Sequence, residues 1–81
     1  MMALKVLVVD DETAVNNLLV YNLRKAGYDP LVAADGSTAL QMAKQSNPDL
    51  ILLDLMLPEV DGLEVCRELR KTSKVPIIMI T

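Results

Sequence analysis

Apolar residues fall into two alternating spacings along this chain. Leu4-Lys5-Val6-Leu7-Val8-Val9 is a short apolar run that ends in acids. A run of this kind predicts a strand buried on both faces, as in a parallel sheet. Val15, Leu18, Leu19, Leu23 and Ala26 then recur at helical spacing. Residues Asp11 to Thr13 offer N-cap chemistry for that helix, and Gly27 is a natural stop. Tyr28 to Ala33 predicts a second strand. Pro30 within it has no N–H to give to a ladder, which places this strand at a sheet edge. Asp35-Gly36-Ser37 makes a turn and a helix start, Ala39, Leu40 and Ala43 form an apolar stripe, and Asn47-Pro48 breaks the helix. Leu50-Ile51-Leu52-Leu53 is a third buried strand closed by Asp54. Leu63, Val65, Cys66 and Leu69 lie on a third helix, and Val75 to Thr81 is a fourth strand with Pro76 near its start.

The order is therefore β-α-β-α-β-α-β. Strands that alternate with helices imply right-handed crossovers and a parallel sheet, an α/β protein. With 81 residues, the chain is one domain or part of one, since domains cluster at roughly 100–150 residues. It stops on a strand, which leaves one sheet face under-covered. Single-chain stability is then marginal.

Composition removes several classes of function. The net charge is −3 and the basic residues are scattered, unlike the basic stripe of a nucleic-acid binder. No apolar run approaches a membrane span, and no charged segment leads into an apolar one as in a signal peptide. One cysteine, Cys66, excludes an intramolecular disulfide, and the absence of histidine excludes a structural zinc site. A reducing, cytoplasmic setting fits. Neither a GxxxxGK nor a GxGxxG loop is present, which argues against nucleotide binding.

The candidate chemistry sits at strand ends. In a parallel sheet all C-terminal ends share one edge, and ligands bind there where strand order reverses. Asp10, Asp11, Asp54 and Thr81 could converge on that edge. Clustered carboxylates repel one another and call for a cation or a shared proton. Oxygen-only ligands suit Mg²⁺, and a carboxylate beside it could act as a nucleophile that forms an acyl phosphate. The plainer alternative is that acids at strand ends are N-caps or solvated turn residues, the role expected for Asp35, Asp49 and Asp61. Cys66, Met42, Met56 and Met79 read as core or filler side chains, and Asn16 and Asn17 as solvent-facing.

Val8-Val9-Asp10-Asp11-Glu12 resembles the acidic end of the first strand in bacterial response-regulator receiver domains. Leu53-Asp54-Leu55-Met56-Leu57-Pro58 with Asp61-Gly62 resembles their phosphorylation-site segment. Ala34-Asp35-Gly36 is similar to the turn after their second strand, and Val75-Pro76-Ile77-Ile78-Met79-Ile80-Thr81 to their fourth strand. The resemblance implies a truncated flavodoxin-like (βα)3β fold with strand order 2-1-3-4, residues 1–81 forming an incomplete receiver domain. It implies that Asp54 accepts a phosphoryl group from a sensor histidine kinase. Mg²⁺, or Mn²⁺ in its place, would be held directly by Asp11 and Asp54, by Asp10 through water, and by the backbone carbonyl of Met56. The Thr81 hydroxyl would hydrogen-bond the phosphoryl oxygen, and Pro58 and Gly62 would shape the loop after the acceptor. Members of the family continue into a helix, a strand ending in a lysine that contacts the phosphoryl group, and a last helix. None of these is in this sequence, so self-catalysed phosphorylation is expected to be slow.

Two other functions compete. One is a phosphorylation-poor fragment that acts as a structural module, completed by a second copy in a homodimer or by a complementing segment. The other is a Mg²⁺-dependent aspartyl-phosphate hydrolase of the haloacid-dehalogenase type, which needs a second acid two residues after the nucleophile. Met56 stands there instead. Direct nucleic-acid or membrane binding is not expected.

Overall fold

The computed structural model describes residues 3–57 and 60–80. Seven elements follow in the expected order: β1 (Lys5–Val9), α1 (Thr13–Lys25), β2 (Asp29–Ala33), α2 (Gly36–Ser46), β3 (Leu50–Asp54), α3 (Gly62–Thr72) and β4 (Ile77–Ile80). The strands form one parallel sheet in the order β2-β1-β3-β4. Pro30 lies on the edge strand β2, opposite Val6, where its missing N–H removes no ladder bond. The chain moves one way from β1 to β2 and returns past β1 to β3. The strand order therefore reverses between the C-terminal ends of β1 and β3, the place where open α/β sheets bind ligands.

Alternation along the strands divides the core. Leu7, Val9, Ala33, Ile51 and Leu53 face α2 and α3 and are buried with Ala39, Val65 and Leu69. Each such leucine or isoleucine contributes about 1.5–3 kcal/mol when fully removed from water. Val6 and Val8 are also buried, and α1 packs over β1 and β2. Across the same pleat, Ile78 on β4 is 51% exposed, because α1 does not reach that far.

Helix ends follow local chemistry. The side chains of Asp35 and Asp61 accept hydrogen bonds from the backbone N–H groups of Thr38 and Glu64. Asn47 ends α2 in the left-handed region at φ 48°, and Pro48 prevents continuation. Gly27 turns the chain out of α1 at φ 94°. The start of α1 differs from expectation. Glu12 is the cap residue and its side chain makes no capping bond; the Asp10 carboxylate takes the Glu12 N–H instead.

Five side chains depart from expectation. Leu18 is 63% exposed and Ala26 is exposed, while Asn16 is buried. The inward stripe of α1 is Val15, Asn16, Leu19, Val20 and Leu23. The helix is rotated so that Asn16 meets the turn after β1. Leu63, expected on the apolar stripe of α3, points outward. Met56, expected as filler, is 77% exposed beside the loop after β3.

The Asp35 cap carries a pH dependence. The Thr38 backbone N–H, with its hydroxyl second, holds the Asp35 carboxyl below its ordinary value of 3.8. A lowered folded-state pKa adds stability that is full above the unfolded value and fades as pH falls through the folded one. Urea midpoints followed below about pH 4 should therefore drop less steeply in Asp35→Asn. That variant keeps an acceptor for the cap but has no proton to take up. Identical slopes would contradict the assignment.

Candidate functional site

Three carboxylates meet at the C-terminal ends of β1 and β3. Asp10 and Asp11 follow β1, and Asp54 ends β3, paired with Ile80 of β4. One oxygen from each can be chosen so that all lie within 4.8 Å of one another. Asp10 is buried, Asp54 half-buried and Asp11 exposed, so the cluster grades from the protein interior to solvent.

Backbone donors orient two of the three. Asp10 Oδ1 accepts from Glu12 N–H at 2.9 Å, and Asp54 Oδ1 accepts from Met56 N–H at 3.0 Å. Each is an Asx-type turn that leaves the second oxygen of the carboxylate for other work. The Asp10 N–H donates to the Ala33 carbonyl of β2 at 3.2 Å, and Asn16 Nδ2 donates to the Asp10 carbonyl at 2.8 Å.

Helix α3 props up the end of β3. Gly62 N–H donates to the Leu55 carbonyl at 3.0 Å and Leu55 N–H to the Ile80 carbonyl at 3.0 Å. A Cβ at residue 62 would lie 2.5 Å from the Asp54 carbonyl oxygen and 2.8 Å from Leu55 Cα. Only glycine allows this approach. Its closeness to the Asp54 backbone was hidden in the sequence, where Gly62 reads as a loop residue.

The donor set fits a small hard cation. Bonds of about 2.1 Å place opposite ligands of octahedral Mg²⁺ about 4.2 Å apart. The three oxygens, all within 4.8 Å of one another, are on the scale of that span. No nitrogen or sulfur ligand takes part, which favours Mg²⁺ or Mn²⁺ over softer metals.

Of the residues expected at the site, Asp10, Asp11 and Asp54 come together and Met56 adjoins them through its N–H. Thr81 and Pro58 lie outside the described residues. Asn16 was missed. Its spacing of three, four and seven from Leu19, Val20 and Leu23 was the available signal, since those positions share one helix face. Among the described residues no helix is long and apolar enough to cross a membrane.

A family model described as response regulator receiver domain matches residues 6–81. Solved structures agree. The N-terminal domain of a response regulator receiver protein from Methanoculleus marisnigri JR1 is 32% identical, with a TM-score of 0.92 over 95% of this chain and 65% of that one. The BeF3-activated N-terminal receiver domain of Klebsiella pneumoniae RstA is 37% identical, with a TM-score of 0.89 over 93% of this chain and 64% of that one. Vibrio cholerae chemotaxis protein CheY4 is 34% identical, with a TM-score of 0.92 over 96% of this chain and 68% of that one. The chain thus spans about two thirds of the length of these structures.

Proposed function

The chain belongs to the response regulator receiver domain family, and from that premise we propose that Asp54 accepts a phosphoryl group from a sensor histidine kinase. The convergence of Asp10, Asp11 and Asp54 within 4.8 Å carries this reading. Asp54 is the nucleophile. Its Oδ1 is engaged by the Met56 N–H, and the other oxygen attacks phosphorus. A P–O bond forms as the P–N bond of the donor phosphohistidine breaks, and the leaving imidazole takes up a proton. Asp10, Asp11 and Asp54 would hold the metal, together with the Met56 carbonyl. Held there, Mg²⁺ would offset negative charge on the transferring group. The Thr81 hydroxyl hydrogen-bonds the phosphoryl oxygen once it is in place. The charge added at Asp54 then biases a two-state surface, and the setting is the cytoplasm.

Metal binding is separable from transfer. Titration with Mg²⁺ or Mn²⁺ should move the amide signals of residues 10–12 and 54–56. Free Mg²⁺ at ten times its dissociation constant should add about 1.4 kcal/mol of stability. Equal shifts in a double variant Asp11→Asn, Asp54→Asn would sink the assignment.

A second reading concerns assembly. We propose that residues 1–81 form an incomplete receiver unit, finished by a second copy or a complementing segment. Ile78, 51% exposed on β4, supports it. Among the described residues β4 pairs only with β3, and an open apolar edge is a template for another strand. The 81-residue polypeptide is therefore expected to associate with rising concentration in sedimentation equilibrium. A monomer with dispersed amide signals throughout the series would refute it.

A further inference from the structure

A buried amide stands behind the acids. Asn16 is 6% exposed, and its Nδ2 donates to the Asp10 carbonyl at 2.8 Å in the interior. That carbonyl belongs to the peptide group joining Asp10 to Asp11. The peptide is planar, so holding its oxygen restrains the plane from which both acidic residues depart and limits ψ of Asp10 and φ of Asp11. Main-chain bonds frame the same turn, from Asp10 N–H to the Ala33 carbonyl and from Asn16 N–H to the Glu12 carbonyl. The Asn16 side chain is the link that ties the turn to the inner face of α1.

This arrangement is poor for stability. Asn16 Oδ1 is buried with no hydrogen-bond partner among the described residues, which forfeits the hydration of an acceptor. Its neighbours on the stripe are Val15, Leu19, Val20 and Leu23, so leucine would suit the site better on burial alone. A local rule broken beside a functional edge calls for a functional gain.

We propose that Asn16 is a positioning residue that aligns Asp10 and Asp11 for the metal through the Asp10 carbonyl. The inference rests on the metal reading above and extends it to a residue that touches no ligand. Its signature is a separation of binding from stability. A merely structural asparagine would change both together.

The test compares the wild type with Asn16→Leu, Asn16→Ala and Leu19→Ala. The readouts are metal-free urea unfolding, the metal-free Asp10 carbonyl and Asp11 amide shifts, and Mg²⁺ titration by amide shifts. Asn16→Leu adds apolar burial but strands the Asp10 carbonyl, so it should hold the urea midpoint above that of Asn16→Ala while it displaces the Asp10 and Asp11 signals and weakens Mg²⁺ binding about tenfold. Asn16→Ala should weaken binding as much at a lower midpoint; set against Leu19→Ala at a comparable midpoint, it carries the test if the leucine variant does not fold. Leu19→Ala should lower the midpoint and leave the dissociation constant within about twofold of the wild type, since Leu19 supports no outer-shell contact. Binding within about twofold of the wild type in the Asn16 variants overturns the proposal alone, as does equal weakening in Leu19→Ala. A wild type with no Mg²⁺-dependent shifts at residues 10–12 and 54 overturns the metal reading and this proposal with it.

Discussion

Incubated with acetyl phosphate and Mg²⁺, the chain is expected to carry covalent phosphate on Asp54 and on no other residue. Asp54 sits at the C-terminal end of β3 with one oxygen held by the Met56 N–H. Asp10 is buried with one oxygen on the Glu12 N–H, and Asp61 is occupied as the cap of α3. Asp54→Asn should abolish labelling altogether. Asparagine keeps an oxygen for the Met56 N–H, so the turn survives, and it removes one of three mutually repelling charges. The metal-free variant should consequently be at least as stable as the wild type. Asp11→Asn should keep the acceptor and slow labelling by roughly 10²-fold, the usual loss when one group that stabilises transition-state charge is removed. Peptide mapping after borohydride trapping reads the position of the label. Label on Asp10 or Asp61, or undiminished label in Asp54→Asn, would contradict the assignment.

Gly62→Ala should damage both the fold and the site. Helix propensity by itself favours alanine by about 1 kcal/mol. Against this, the added Cβ would lie 2.5 Å from the Asp54 carbonyl oxygen and 2.8 Å from Leu55 Cα. Both are backbone atoms of a packed segment and cannot swing aside. Forcing them apart costs about 1–3 kcal/mol, so the net effect is a loss of up to about 2 kcal/mol. The shift falls on Asp54 itself. Displacing a reacting group by about 1 Å can slow a reaction by about 10²-fold, so phosphorylation should drop further than stability alone explains. Gly27→Ala separates the two causes. A Cβ there meets nothing within 4 Å, but φ is 94°, and the strained backbone costs about 1–2 kcal/mol at a point far along the chain from the acceptor. It should lower the urea midpoint and leave the labelling rate unchanged. A Gly62→Ala protein as stable as the wild type and labelled at its rate would mean that the close approach has no consequence.

Much of this protein was legible in the residues themselves. Short apolar runs and helical spacings set all seven elements in order. Pro30 marked the edge strand, because a residue without an N–H belongs where no partner waits. Asp35 and Asp61 announced their caps through local bonding over three residues, and Asn47-Pro48 announced the end of α2. Asp10, Asp11 and Asp54 were identifiable as candidates because parallel strands bring their C-terminal ends to one edge. All of these are short-range or periodic features, governed by the backbone within a few residues of each position.

Only the tertiary structure decided how α1 is rotated and what lies behind the acids. Leu18 and Asn16 are two positions apart on α1, about 200° around the helix. Hydrophobicity alone would bury Leu18 and expose Asn16. The reverse is found, because the turn after β1 leaves the Asp10 carbonyl to be met and Asn16 Nδ2 meets it. Gly62 is a similar case. Nothing near it in sequence explains the need for glycine; the cause is the backbone of β3 passing 2.5 Å from where a Cβ would stand. Contacts between segments distant in the chain have no period and no local signature, so the sequence names the acids but only the packed fold shows what aims them.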